Sequence, residues 1–290
     1  DGEDLVGFRF SEPLKFIVHG QPVRGLLSTL LSADPDRKGQ GIAKQLAQEL
    51  SRRIEDQDFQ FDTGFGVPGP GSLGPGFWLG SQNGTRAVGV RPWIRPLDAQ
   101  ALVTSVGSKF ERGASRLAAS LGLDRLPQRK SPHVRPYRDA DVGPCLDILK
   151  AAETGSDFRY EWSADRLAFQ LDYKGIPSTW VYDDGTVRGF SNVHRQWFRG
   201  PKRFAAGQID HLVAREDDPG VEKALMDHTL GTLQSTGHAL AICPSSASTT
   251  VRTRLRSGFL PMPERYDFLF VFIAPGLDIT KIRQPKVHLR

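Results

Sequence analysis

Two glycines two positions apart, Gly39 and Gly41, follow Pro35-Asp36-Arg37-Lys38 and precede Ile42-Ala43. A glycine-rich turn that runs into a helix aims several unpaired backbone N–H groups into the loop, and an anion, above all a pyrophosphate, suits such a place. The other chemistry-bearing side chains are dispersed. His19, Asp34 and Asp62 in the first part and Asp210 and His211 in the second are candidate general bases. Each also has an ordinary reading, because an Asp beside Pro35 forms turns and a histidine in an apolar run is commonly a hydrogen-bonded core residue. Cys145 and Cys243 are the two cysteines; they form no Cys-x-x-Cys pair and no disulfide framework, so free thiols in a reducing cytoplasm are expected, and no metal.

The common phosphate signatures are absent. No Gly-Lys pair occurs, which excludes a Walker loop, and Lys44 stands where the dinucleotide fingerprint needs its third glycine. Gly64-Phe65-Gly66-Val67-Pro68-Gly69 spells that fingerprint, but Pro68 and Pro70 forbid the helix it should open, so residues 64–84 are expected to be a surface loop.

The Gly39-Gln40-Gly41 turn needs a strand before it and a helix behind it. Residues 25–31 carry Leu26, Leu27, Leu30 and Leu31, the length and composition of a buried strand. Ile42, Leu46, Leu50 and Ile54 recur every four residues beside Ala43 and Ala47, with Lys44, Gln48, Glu49, Arg52 and Arg53 opposite, which predicts an amphipathic helix. Ahead of the turn, strands are expected at 5–10 and 14–19 with a turn at 11–13; behind it, at 58–62 and 86–94. One or two helices follow from an Asp98 cap to Leu121, and a polar, basic stretch at 122–132 marks a boundary.

The chain has 290 residues with a net charge of +5, a length that gives a prior of about two domains. Its first residue is Asp1, no signal-peptide pattern opens it, and the longest apolar run, 268–274, is too short to span a bilayer. Basic residues are spread along the chain without a nucleic-acid recognition module, and a mildly basic surface equally suits a small anionic ligand.

The stretch Pro35-Asp36-Arg37-Lys38-Gly39-Gln40-Gly41-Ile42-Ala43 resembles the coenzyme A loop of the GCN5-related N-acetyltransferase (GNAT) family, Arg/Gln-x-x-Gly-x-Gly/Ala, with lysine at the first position. The resemblance implies that Lys38, Gly39, Gln40, Gly41, Ile42 and Ala43 hold the pyrophosphate of an acyl-CoA, that Leu31, Ser32 and Ala33 also bind the CoA, and that the strand backbone from Leu30 to Ala33 polarises the acyl carbonyl. It also implies a missing or abbreviated start, since the family has a strand and two helices ahead of these strands. The family's acid tyrosine has no counterpart, because no tyrosine precedes Tyr137; Trp78 could fill its space but cannot donate a proton as an acid.

His133-Val134-Arg135-Pro136-Tyr137-Arg138-Asp139-Ala140-Asp141 resembles the opening of a second domain of the same family. Helices at 142–152 and 163–171, a hairpin about Asp184-Gly185, a central strand at 204–214, a helix at 221–233, a strand at 239–243, a helix at 246–256 and a strand at 266–272 complete that pattern. Its loop, Arg215-Glu216-Asp217-Asp218-Pro219-Gly220, crowds carboxylates where a phosphate would sit, with Asp218 as an N-cap. Arg254 stands where the acid tyrosine would, four residues before Gly258.

The expected architecture is therefore α/β, an α+β mixed-sheet arrangement of two tandem GNAT-like folds, each a mostly antiparallel sheet flanked by helices. It divides as an N-terminal domain 1–97, a helical linker 98–132, a C-terminal domain 133–276 and a basic tail 277–290. The implied function is acyl-CoA-dependent N-acyl transfer, with acetyl-CoA as donor and a small amine or peptide amine as acceptor. The catalytic groups are open, with His19, Asp34 and His211 as candidates, and neither nucleic acid nor membrane is expected as partner. The alternative is a non-catalytic acyl-CoA-binding or scaffold protein.

Overall fold

The computed structural model describes residues 4–66, 76–81, 84–107, 109–126, 131–283 and 285–287. The chain forms two compact units, Asp1–Val90 with Gly155–Glu161 and Glu264–Arg290, and Arg91–Thr154 with Trp162–Pro263.

The first unit is built on β1 (Gly7–Val18), β2 (Gln21–Ala33), β3 (Asp62–Gly66), β4 (Thr85–Val90), β7 (Phe158–Tyr160), β13 (Tyr266–Val271) and β14 (Pro285–Lys286), ordered β14-β7-β1-β2-β3-β13-β4. β1 and β2 form a long antiparallel hairpin. A chain that leaves β2 through helix α1 (Ile42–Asp56) must return alongside it, so β3 pairs β2 in parallel, as a strand-helix-strand crossover requires. Helix α1 lays Ala47, Leu50 and Ile54 toward the sheet, where Ile54 and Leu50 join a core with Leu26 and Phe59. A second core is aromatic: Phe16, Phe61, Phe158, Phe268 and Phe270 are all fully buried, with the Phe16 and Phe61 rings 5.1 Å apart. Gly25 passes under that cluster so closely that a Cβ would lie 2.5 Å from the Phe61 ring.

The second unit contains β5 (Pro92–Pro96), β6 (Val134–Pro136), β8 (Ser178–Asp183), β9 (Val187–Arg199), β10 (Arg203–Ala214), β11 (Leu240–Pro244) and β12 (Leu260–Pro261), ordered β12-β5-β11-β10-β9-β8-β6. Its helices are α2 (Ala99–Ser105), α3 (Lys109–Ser120), α4 (Val142–Ala152), α5 (Ala164–Asp172), α6 (Pro219–Ser235) and α7 (Val251–Arg256). The β9–β10 hairpin, the crossover helix α6 and the parallel strand β11 repeat the plan of the first unit. Both sheets are mixed and mostly antiparallel, as the sequence led us to expect.

Several local expectations differ from the structure. β1 runs unbroken through Pro13 where a turn was expected. Among the described residues β7 pairs only its end, at residues 16–18, so the proline sits on an edge where its missing N–H is harmless. The strand expected at 58–62 begins at Asp62, and Gly64, Phe65 and Gly66 of the expected loop belong to it; the remainder of the apparent fingerprint, with Pro68 and Pro70, lies outside the described residues. The single strand expected at 86–94 is two, and they part company: β4 pairs β13 in the first unit, whereas β5 pairs β11 in the second. The final strand expected in the C-terminal domain, β13, lies between β3 and β4 of the first unit. The expected linker packs within the second unit, with Leu102 and Ala118 buried and Gln234 of α6 donating to the carbonyls of Leu97 at 2.7 Å and Asp124 at 2.8 Å. The expected tail joins the first unit, burying Ile279, Ile282 and Val287.

Candidate active site

The anion-holding turn is built as its residues require. After β2, Pro35–Arg37 makes one 3-10 turn, stabilised by Asp34 accepting the Asp36 N–H at 3.0 Å. Gly39 and Gly41 adopt φ of +89° and +76°, the left-handed region that glycine enters at no steric cost. Gly41 is the N-cap of α1 and brings no side chain to cap it. Among the described residues, the N–H groups of Gly39, Gly41, Ile42, Ala43 and Lys44 find no hydrogen-bond acceptor, and the space around both glycines is open. The positive end of the α1 dipole thus faces an exposed loop with donors to spare.

Upstream, β2 carries a β-bulge. Phe10 pairs Leu30 and Ser11 pairs Ser28, which leaves Thr29 as the extra residue. β3 pairs β2 only at Leu26 and Leu27, with Gly64 of β3 still close against the Ser28 carbonyl, so from Thr29 to the strand's end no described strand pairs with that edge, and Leu31, Ser32 and Ala33 run along this split toward the loop. Because the Asp34 N–H bonds back to Val6 beside β1, the alternation of the strand turns the N–H groups of Leu31 and Ala33 to the unpaired edge, where they are donors for a carbonyl oxygen.

At the base of the split sits a buried polar cluster. Asp62 of β3 accepts from Ser28 Oγ at 2.6 Å and from the Arg9 guanidinium; Arg9 Nη2 also donates to Ser28 Oγ at 2.8 Å, and Ser11 Oγ lies 2.6 Å from the same hydroxyl. The Arg9 and Asp62 side chains are 5% and 2% exposed. Burial pushes the Asp62 carboxyl up to about 6 against the opposing pull of Arg9 and Ser28, and burial likewise lowers the Arg9 guanidinium. Trp78, on a short helical turn, lies over the guanidinium at 4.5 Å. Arg9, Ser28, Asp62, Trp78, Phe65 and Leu269 are among the walls of a cavity of about 40 Å³. Arg9 also lines a wider groove of about 310 Å³ between α1 and the β1–β2 hairpin, walled by Leu26, Leu46, Leu50 and Phe59.

The corresponding turn of the second unit is closed. Asp218 accepts from the N–H groups of Gly220 at 2.8 Å and Val221 at 3.2 Å, and is itself held by Arg188 at 3.0 Å. The donors an anion would need are therefore taken. Glu222, in the first turn of α6, is buried against Thr253 Oγ1, with its carboxyl raised by burial.

The candidate bases do not gather. His19 sits in the tight turn at the far end of the β1–β2 hairpin, exposed, with its ring 2.9 Å from the Asp278 carbonyl oxygen. About twelve strand residues, some 40 Å, separate it from the Gly39 loop. Asp34 is spent on its own turn and on Arg37 at 3.9 Å. His211 is fully buried on β10 between the rings of Trp162 and Phe190. Arg254 is a structural residue that donates to the Thr249 carbonyl at 2.7 Å. The thiols of Cys145 and Cys243, both buried, are pushed up to about 12 and 11 by desolvation, which removes thiolate chemistry.

Two groups of the structure were not singled out from the sequence. Arg9 is one. His194, half-buried on β9 with Nε2 3.5 Å from Asp210 Oδ2 and 3.1 Å from Gln170 Nε2, is the other. Asp210 is the bulge residue of β10, and Gln208 donates to its second oxygen at 2.7 Å. The hairpin register, which sets Gln208 opposite His194, is the signal that would have placed the imidazole near Asp210. Among the described residues no three His, Cys, Asp or Glu side chains gather to hold a metal, and no helix is long and apolar enough to cross a membrane.

Comparison with protein-family models gives no match, and comparison with curated protein sequences gives none. The fold, in contrast, has clear counterparts among solved structures. Saccharomyces cerevisiae N-myristoyltransferase with bound myristoyl-CoA superposes with a TM-score of 0.74 at 15% identity over 100% of this chain and 70% of that one. Another structure of that enzyme with myristoyl-CoA gives 0.70 at 16% identity, covering 98% and 73% of the two chains. A GCN5-related N-acetyltransferase from Kribbella flavida gives 0.51 at 14% identity, covering 92% and 57%. The chain therefore has a GNAT-like fold, two mixed sheets flanked by helices in tandem.

Proposed function

We propose that the protein is an acyl-CoA-dependent N-acyltransferase that holds CoA in its first unit, at residues 38–43, and passes a short acyl group such as acetyl to a primary amine of a small molecule or peptide. The observation that carries this reading is the uncapped, glycine-formed start of α1 at the end of a bulged strand whose edge is unpaired. The loop N–H groups and the α1 dipole take the pyrophosphate, and the pantetheine arm runs along the open edge of β2. Backbone N–H groups of that edge, at residues 31 and 33, then polarise the thioester carbonyl. The amine nitrogen, deprotonated, attacks the carbonyl carbon; the tetrahedral oxyanion collapses, the C–S bond breaks, and the thiolate leaves to be protonated as CoA thiol. The fold likeness to enzymes solved with myristoyl-CoA, and to an N-acetyltransferase, agrees with an acyl-CoA donor. A cavity of about 40 Å³ at the split favours a few-carbon acyl group over a long chain. The buried free cysteines suit a reducing cytoplasm.

A second reading, an acyl-CoA-binding protein without transfer, is favoured by the distance of His19 and by the engagement of Asp34 in its own turn, which leave the loop without either as a base. Thiol release from acetyl-CoA across a panel of amines separates the two. Amine-dependent release supports the transferase, and CoA-induced thermal stabilisation without release supports the binding protein.

A further inference from the structure

Arg9 holds more hydrogen-bonding capacity than the described residues use. Its Nη2 serves Asp62 and Ser28, yet Nε and Nη1 are buried and have no acceptor among the described residues. The indole of Trp78 stacks on the guanidinium 4.5 Å away, an interaction with its face that leaves the in-plane donors unanswered. Leaving such donors buried and unsatisfied is costly, and the guanidinium is also a wall of both cavities beside β2. Ser28, which shares the smaller cavity, adjoins the bulge residue Thr29 on the unpaired edge.

We infer that Arg9 is a specificity residue that receives a neutral oxygen of the acyl group, so that the preferred donor is a short hydroxyacyl- or ketoacyl-CoA and not a plain hydrocarbon thioester. This inference rests on the proposed CoA site at residues 38–43. With the thioester carbonyl beside Leu31, the strand from there to Thr29 rises about 7 Å, a span that a three- or four-carbon acyl chain covers toward the cavity. A volume of about 40 Å³ admits roughly three water-sized groups, which is the size of the oxygen-bearing end of a three- or four-carbon acyl chain. The oxygen is neutral because Asp62 already balances the Arg9 charge, and a carboxylate would bury a net negative charge.

The test is calorimetric binding of free CoA, butyryl-CoA, 3-hydroxybutyryl-CoA and succinyl-CoA to the full chain and to Arg9→Lys, which keeps a cation beside Asp62 but loses the two spare donors. The expected result is a roughly tenfold preference for the hydroxyacyl thioester over butyryl-CoA, the order of one hydrogen bond to a charged donor, that collapses in Arg9→Lys while free CoA binds both proteins alike. Equal or weaker binding of the hydroxyacyl thioester by the parent overturns the inference, even if Arg9→Lys fails to fold. So does a preference for succinyl-CoA, or a hydroxyacyl preference that survives in Arg9→Lys. Absence of CoA binding altogether defeats the underlying donor reading and this inference with it, whereas CoA binding without discrimination defeats the inference alone.

Discussion

At Gly41 the backbone stands at φ +76° with open space where a side chain would project, so the turn can be tested one residue at a time. Gly41→Asp would imitate Asp218 of the second unit by offering a carboxylate to the N–H groups of the first helical turn, and would repel phosphate. CoA affinity should fall by at least about 1 kcal/mol, read by calorimetry on protein whose melting shows an intact fold. Lys38→Gln should cost little at physiological salt, because Lys38 is exposed and its backbone geometry, with its N–H on the Pro35 carbonyl at 3.3 Å, does not depend on the side chain. Asp62 predicts a pH signature. Its folded-state value, about 6, lies above the unfolded 3.8, so the folded state holds its proton to higher pH. The stability it contributes is complete below about pH 4 and is lost as pH rises through 6. In denaturant titrations the parent should therefore lose stability relative to Asp62→Asn as pH rises across that window; a constant difference from about pH 4 to 7 contradicts the raised carboxyl. Gly39 and Gly41 were legible because glycine spacing is local. Arg9 was not, because its meaning depends on Asp62, which lies 53 residues away and is brought to it only by sheet register.

Among elements, the helices were the most readable, since α1 declares itself by a four-residue apolar period and α5 and α6 by Ser163 and Asp218 at their caps. Asp218→Ala should cost about 1 kcal/mol of stability in chemical denaturation. It should not create a CoA site, because Glu216 and Asp217 remain at the turn. The strands misled where tertiary pairing overrode local signals. Pro13 looks like a break but lies on an edge, and Arg86 to Ile94 looks like one strand although Arg91 divides it between two sheets. Gly25 shows the same override in packing: nothing in its neighbours announces Phe61 above it. Gly25→Ala should destabilise the protein by about 1–3 kcal/mol, since the ring must yield to a Cβ 2.5 Å away. Unchanged melting of that variant would contradict the packing described.

For the whole molecule, the repeated plan of hairpin, turn, crossover helix and parallel strand was visible in the sequence, because both halves order these elements alike. The exchange was not: β5 follows the first half in sequence and β13 the second, yet each completes the other unit's sheet, and strand pairing of that kind leaves no local trace. The two turns differ in chemistry in spite of their common plan. Calorimetric titration with acetyl-CoA should give a stoichiometry near one per chain, because Asp218 occupies in the second unit the donors that the first leaves open. A crystal structure of the chain with CoA bound decides where the donor sits. The pyrophosphate is expected on the backbone N–H groups of residues 39–43, with the pantetheine arm along the unpaired edge of β2. CoA seated at Pro219, Gly220 and Val221, with residues 39–43 bare, would contradict the proposed donor site.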